Sequence, residues 1–204
     1  TRYEYDRENK LVSSSTPLGF VTRYEYDAIG QLVAEVNAND GETAYTYDAD
    51  GRLTSSTTPL GLVTAYEYNE MGRIVKVTNP DGTTIEYTYD ENGNKLTRKD
   101  ERGGVTTYTY DANNRLTSET NPEQGQVSFE YNQNHYMTRR TNEKGGIVQY
   151  TYDANGNVTS ITDARGGTTR FAYDGLNRLT TITDAEGTAV ICTTGMPALS
   201  LANP

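Results

Sequence analysis

Residues able to do chemistry are either single or endlessly repeated in this chain. His135 is the one histidine and Cys192 the one cysteine among 204 residues. A Ser-His-Asp or Cys-His nucleophile would therefore have to be assembled from lone candidates. No intrachain disulfide can form, and no thiolate cluster can hold a metal. The acidic stretches Asp48-Ala49-Asp50-Gly51 and Asp153-Ala154-Asn155-Gly156-Asn157 resemble the start of a calcium loop. They lack the late carboxylate that completes an EF-hand, and tight hairpin turns account for them. We expect no catalysis, cofactor or metal. What remains is tyrosine: a ring face can pack on a sugar while its hydroxyl hydrogen-bonds, so rows of exposed tyrosine could bind glycans. The competing explanation is that the rows are the protein's own packing.

The tyrosines are positioned by a strict period, the interval from Tyr5 to Tyr26, which never slips. A Tyr-Asp or Tyr-Asn pair begins at Tyr5, Tyr26, Tyr47, Tyr68, Tyr89, Tyr110, Tyr131, Tyr152 and Tyr173. Another aromatic stands two residues earlier, at Tyr3, Tyr24, Tyr45, Tyr66, Tyr87, Tyr108, Phe129, Tyr150 and Phe171. Sixteen of the 17 tyrosines fall at these two positions, so the chain reads as nine copies of one small unit. The shared His135 position holds Gly51 and Gly156 in sister copies, which makes the histidine a turn variant.

Each unit carries two turn signals. Asp48, Asp111, Asp153 and Asp174 open the first, and Gly51 and Gly156 close it, since Asp bonds its own backbone and Gly tolerates positive φ. The second is Asn79-Pro80-Asp81-Gly82, Thr58-Pro59-Leu60-Gly61 or Asn121-Pro122-Glu123-Gln124-Gly125, in which Pro80 presets φ and Gly82 closes the turn. Between them lie alternating Thr-, Val- and Tyr-rich stretches such as Val63-Thr64-Ala65-Tyr66-Glu67-Tyr68, suited to a half-buried pleated surface. The fold class is all-β: an antiparallel meander of hairpins, about 18 strands, with connections too short for crossovers. At roughly 4.8 Å per strand a flat sheet would be about 85 Å wide, and open sheets seldom pass about ten strands without curling. A spiral or shell wall is expected.

The period is odd, and this sets a register condition, because side chains alternate faces every two residues. To keep the tyrosines on one face, one turn per repeat must carry an odd loop or a bulge and the other an even loop. We assign the odd loop to the Asp-x-x-Gly turn, as three residues with Gly left-handed. That places Tyr47 opposite Leu53 and Asp48 opposite Arg52, Tyr110 opposite Leu116 and Asp111 opposite Arg115, and Tyr173 opposite Leu179 and Asp174 opposite Arg178.

Apolar residues make up 34% of the chain and tryptophan is absent, with a mean hydropathy of −0.76. A thick two-layer core is not expected; a single sheet with one wet face is. The net charge of −10 argues against nucleic acid, whose phosphates require a basic surface. No apolar run of about 18 residues predicts a membrane span, and no signal peptide is visible. Residues 1–187 form the array. Thr1-Arg2-Tyr3-Glu4-Tyr5-Asp6 matches Thr22-Arg23-Tyr24-Glu25-Tyr26-Asp27, so the chain reads as a segment of a longer one. Residues 188–204 diverge; Ala189–Thr193 can add one closing strand, with disorder expected beyond.

The motif Tyr45-Thr46-Tyr47-Asp48-Ala49-Asp50-Gly51-Arg52-Leu53-Thr54, repeated as Tyr150-Thr151-Tyr152-Asp153-Ala154-Asn155-Gly156-Asn157-Val158-Thr159, resembles the YD repeat of the rearrangement-hotspot (Rhs) family. The resemblance covers about residues 1–187. It implies a large secreted or cell-surface protein, usually bacterial, whose repeats wind into a hollow β-shell that in toxin members encloses a C-terminal toxic domain; insecticidal toxin complexes and teneurins have related shells. The partners implied are flanking repeats and an enclosed C-terminal cargo of a longer parent chain. The Asp-Pro-x-Gly-Leu type motif that resembles the family's self-cleaving site does not occur in this stretch, so autoproteolysis is not carried over. Three functions compete: a non-catalytic structural wall segment, an adhesion or carbohydrate-binding module using the exposed face, and a filament subunit joined edge to edge through open strands.

Overall fold

The structure, a computed structural model, describes residues 1–196, with side chains to Ile191. The described residues form nineteen antiparallel strands and no helix, as the all-β reading requires. The chain clusters into two compact units, residues 1–88 with 98–103, and residues 89–97 with 104 onward.

In the first unit the strands are β1 (Arg2–Tyr5), β2 (Leu11–Ser15), β3 (Val21–Tyr26), β4 (Leu32–Val36), β5 (Glu42–Tyr47), β6 (Leu53–Thr57), β7 (Val63–Tyr68), β8 (Ile74–Thr78) and β9 (Thr84–Tyr89). Each pairs antiparallel with the next. Strand β10 (Lys95–Lys99) is divided between the units, and Tyr89 at the end of β9 belongs to the second. The second unit holds β11 (Val105–Tyr110), β12 (Leu116–Thr120), β13 (Gln126–Tyr131), β14 (Met137–Thr141), β15 (Ile147–Tyr152), β16 (Val158–Thr162), β17 (Thr168–Tyr173), β18 (Leu179–Thr183) and β19 (Ala189–Met196), again a meander. The disorder expected at the chain end concerns residues 197–204, which lie outside those described.

The pairings Tyr47 with Leu53, Tyr110 with Leu116 and Tyr173 with Leu179 are present. The expected division into one odd and one even turn is not. At the first turn Asp48 N–H donates to the Arg52 carbonyl at 3.0 Å and Gly51 N–H to the Asp48 carbonyl at 3.0 Å. At the second, Thr58 N–H donates to the Leu62 carbonyl at 2.9 Å and Gly61 N–H to the Thr58 carbonyl at 2.8 Å. Both are three-residue loops closed by a left-handed residue, Gly51 at φ 80° and Gly61 at φ 77°. The odd residue sits instead in the second strand of each hairpin. Thr46 pairs with Ser55 but Tyr47 with Leu53, so Thr54 is a one-residue bulge. The same shift recurs at Glu25/Tyr26, Glu67/Tyr68, Thr109/Tyr110, Glu130/Tyr131, Thr151/Tyr152 and Ala172/Tyr173. Two three-residue loops alone would flip the tyrosines on alternate copies; the bulge reverses that flip once per repeat.

A second correction concerns Asn121-Pro122-Glu123-Gln124-Gly125: Gln124, at φ 67°, takes the left-handed position rather than Gly125. Its N–H donates to the Asn121 carbonyl at 3.0 Å, the bond made by glycine in sister turns.

Burial matches a thin sheet. The described apolar residues that are buried are Ala34, Phe129, Met137, Val158 and Leu179, of which Val158 alone is fully enclosed. The last four share the tyrosine face by register. The other face carries hydroxyls: Thr46 Oγ1 lies 2.9 Å from the bulged Thr54 Oγ1 and 2.7 Å from Ser55 Oγ. Thr109 with Thr117 and Ser118, and Thr151 with Thr159 and Ser160, repeat that arrangement. The bulge thus aims a β-branched hydroxyl at its neighbours across the strand.

Candidate functional site

The tyrosine face gathers both aromatic rows of the repeat. The bulge brings the second aromatics Tyr5, Tyr26, Tyr47, Tyr68, Tyr110, Tyr131, Tyr152 and Tyr173 each opposite an apolar residue, from Leu11 to Leu179. The first aromatics meet varied partners: Tyr3 faces Ser14, Tyr24 Glu35, Tyr45 Ser56, Tyr66 Val77, Tyr108 Glu119, Phe129 Arg140, Tyr150 Ile161 and Phe171 Ile182. Tyr87 and Tyr89 lie on β9.

The second tyrosine has a role that the unit-by-unit reading missed. The ladder between β6 and β7 runs from Thr57 opposite Val63 to Ser55 opposite Ala65, so the Leu53 carbonyl lies past its end. The Tyr68 hydroxyl donates to that carbonyl at 2.8 Å. Identical bonds join Tyr26 to Leu11 at 2.9 Å, Tyr47 to Leu32 at 2.8 Å, Tyr110 to Lys95 at 3.0 Å, Tyr131 to Leu116 at 2.9 Å, Tyr152 to Met137 at 2.6 Å and Tyr173 to Val158 at 2.9 Å. Each ties one repeat to the preceding one. A part-buried carbonyl left without a donor costs free energy, and the phenol supplies the donor. A signal for this existed: phenylalanine replaces the first aromatic at Phe129 and Phe171, whereas the second is tyrosine in all nine copies.

The aspartates secure the turns. Asp48 Oδ1 accepts the N–H groups of Asp50 at 3.0 Å and Arg52 at 2.9 Å; Asp111, Asp153 and Asp174 do the same in their loops. Asn69 and Asn132 perform this role with an amide oxygen. Pro80 stands second in its turn, and Gly82, at φ 84°, donates to the Asn79 carbonyl at 2.9 Å. Loops of Asp111 and Asp174 are closed by Asn114 at φ 60° and Asn177 at φ 58°, and that of Asp153 by Gly156 at φ 88°.

The second carboxylate oxygen reaches outward. Asp48 Oδ2 accepts from Arg52 Nε at 2.7 Å, and Asp111 Oδ2 and Asp174 Oδ2 accept from Arg115 and Arg178 at the same distance. The guanidinium of Arg52 then lies 5.2 Å from the ring centre of Tyr68, and that of Arg115 4.7 Å from Tyr131, within cation–π range. At these two places carboxylate, guanidinium and the next repeat's phenol stand in series. These bonds hold Asp48 below the ordinary carboxylate range, chiefly through the Arg52 N–H, and Asp111 and Asp174 through their arginine side chains. Asp90 and Asp153 are lowered by the Asn94 and Asn157 side chains. Burial raises the phenols of Tyr68, Tyr110, Tyr131 and Tyr152.

Contact between repeats also reaches the left-handed position of the next Asp-led turn. Asn94 Nδ2 donates to Asn114 Oδ1 at 2.8 Å, and Asn157 Nδ2 to Asn177 Oδ1 at 2.9 Å. Where the first residue is longer, as with Gln31 or Tyr136, it occupies the space a Cβ would need at Gly51 or Gly156. His135, at φ 67°, fills this position with Nδ1 3.4 Å from Arg115 Nη1.

Among the described residues no three or more His, Cys, Asp or Glu side chains gather to hold a metal, and no helix is long and apolar enough to cross a membrane. A depression of about 380 Å³ on the tyrosine face is lined by Tyr108, Tyr110, Tyr131, Lys95, Arg115 and Glu119 among others.

A family model described as RHS Repeat matches residues 5–43, 26–61, 47–84, 72–101, 89–124, 112–147 and 152–189. Among solved structures the chain is similar to the crystal structure of TcdB2-TccC3, with a TM-score of 0.71 and 14% identity over 89% of this chain and 11% of that one. The same complex without its hypervariable C-terminal region gives 0.70 and 15% over 89% and 11%. The Tc holotoxin pore of Photorhabdus luminescens, carrying a TccC3 mutation, gives 0.56 and 16% over 89% and 13%. The chain spans about a ninth of the length of the first two, and at such identity the likeness concerns the fold. No curated protein matches the chain.

Proposed function

The chain belongs to the RHS repeat family, and from that premise we propose that it is a non-catalytic wall segment of a β-shell in a secreted or surface protein, enclosing a C-terminal toxin or other cargo of the parent chain. The observation that carries the reading is the tyrosine-to-carbonyl bond that recurs from one repeat to the next. The most conspicuous polar groups of the repeat are spent on joining neighbouring copies, which is what a wall requires and an active site does not. The likeness to TcdB2-TccC3 supports the same role, with residues 1–187 as one continuous array. Small-angle scattering of the purified chain tests it. A particle with the cross-section of one sheet layer, about 10 Å, is expected, and a compact two-layer globule would refute the wall.

A second reading is favoured by the depression at Tyr108, Tyr110 and Tyr131, where three phenols stand beside Lys95, Arg115 and Glu119: a carbohydrate-binding face. Titration with glycans while following tyrosine fluorescence distinguishes it, because saturable change lost in Tyr108→Ala is expected from binding and a flat trace removes it.

A further inference from the structure

In residues 1–88 the hairpin tips carry apolar side chains in a regular alternation. At one end of the strands Leu18 is 83% exposed and Leu60 85%, flanked by the exposed Phe20 and Leu62. At the other end Ile29 is 81% exposed and Met71 62%; the Met71 sulfur accepts a bond from Arg73. All four tips occupy the third position of equivalent turns, whose fourth residues Gly19, Gly61, Gly30 and Gly72 are left-handed. Leu18 and Leu60 lie two repeats apart, as do Ile29 and Met71. That step is four strands, roughly 19 Å at 4.8 Å per strand. The tips between them, Asn39 and Asp50, are polar and exposed.

Both ends of the strands therefore present the same sequence of apolar, polar and apolar tips at one pitch. We propose that these ends are complementary docking surfaces for a second copy of this chain, the Leu18/Leu60 end of one copy seating on the Ile29/Met71 end of the next. Matched pitch brings two apolar contacts together at once and sets the polar tips between them. Two carboxylates of those polar tips already have a cation beside them, Asp40 with Arg23 at 2.8 Å and Asp50 with Arg52 at 2.9 Å, which lessens like-charge repulsion on apposition. The contact is head to tail and continues along a stack, across the strand ends rather than through open sheet edges.

Sedimentation velocity over a concentration series tests the proposal on the intact chain. Wild type should associate with concentration. Leu18→Ser/Leu60→Ser and Ile29→Ser/Met71→Ser should each be monomeric, with far-UV circular dichroism unchanged because the substitutions lie at exposed turn tips. An equimolar mixture of the two variants should form a heterodimer and stop there, since each retains one intact end. Wild type that stays monomeric throughout would overturn the proposal. So would variants that associate like wild type, the result expected if joining occurs through strand edges.

Discussion

Replacing Tyr131 by phenylalanine isolates the bond between repeats. The ring remains, so apolar burial and the Arg115 stack at 4.7 Å are kept; only the hydroxyl's 2.9 Å bond to the Leu116 carbonyl is lost. A net protein hydrogen bond is worth about 0.5–1.5 kcal/mol, and an acceptor left unsatisfied costs about 1–3 kcal/mol. Leu116 is half-buried and partly open to replacement water, which puts the expected loss at about 1 kcal/mol. With a urea dependence of about 2 kcal/mol per molar, the unfolding midpoint should fall by roughly 0.5 M. The paired control is Tyr150→Phe, at the position where Phe129 and Phe171 already occur; it should move the midpoint by less than half as much. Urea unfolding followed by far-UV circular dichroism reads both. Equal shifts for the two variants would refute the argument that the second tyrosine is kept for its hydroxyl.

Removing the bulge should be far worse than any point change: deleting Thr117 places every later tyrosine on the opposite face, and loss of the cooperative transition, with exposure to limited proteolysis downstream, is expected. Gly156→Ala and Gly166→Ala both meet φ 88°, costing about 1–2 kcal/mol for a Cβ there. Only Gly156 also faces Tyr136, so it should lose measurably more by the same urea assay, and equal losses would contradict the contact. Because Asp111 is held below its ordinary range by Arg115, its contribution is present above the unfolded value of about 3.9 and is lost as pH falls through the lower folded value. Asp111→Asn, which keeps the turn acceptor as Asn132 does, should flatten the acid limb of a stability-against-pH curve below about pH 4.

The repeat, its two strands and the pairing of Tyr47 with Leu53 were legible because period, turn residues and β-branched content all point the same way. Placing the odd residue failed, although the turns themselves held the clue. Asp48-to-Gly51 and Thr58-to-Gly61 each have a side-chain oxygen at the first position accepting from the residue after the turn, and a left-handed glycine at the fourth. Equal signatures mean equal loops, which leaves a bulge as the source of the parity change; β-branched Thr54 sits there. The hydroxyl bond was invisible to a reading of one unit because its acceptor, the Leu53 carbonyl for Tyr68, lies in the preceding unit. Gln124 shows the limit of residue type at a turn: with Pro122 fixing the second position, the fourth residue takes positive φ whatever it is, and the neighbouring Gly125 does not draw the turn toward itself.

The recurring ties between copies run from Tyr68 back to Leu53, from Arg115 on to Asn132 and from Asn94 on to Asn114, and these three each reach less than one period. Any stretch of one period, wherever it begins, therefore contains one complete set of donors and acceptors, one bulge and two loops. At the gene level this makes the array indifferent to where unequal crossing-over cuts it. A gain or loss of one whole period of codons restores every bond and the same face, with no seam at a repeat boundary. In-frame exchanges that are not whole multiples of the period break the phase. The bulge that keeps the tyrosines aligned thereby also sets the quantum in which such a gene can lengthen or shorten.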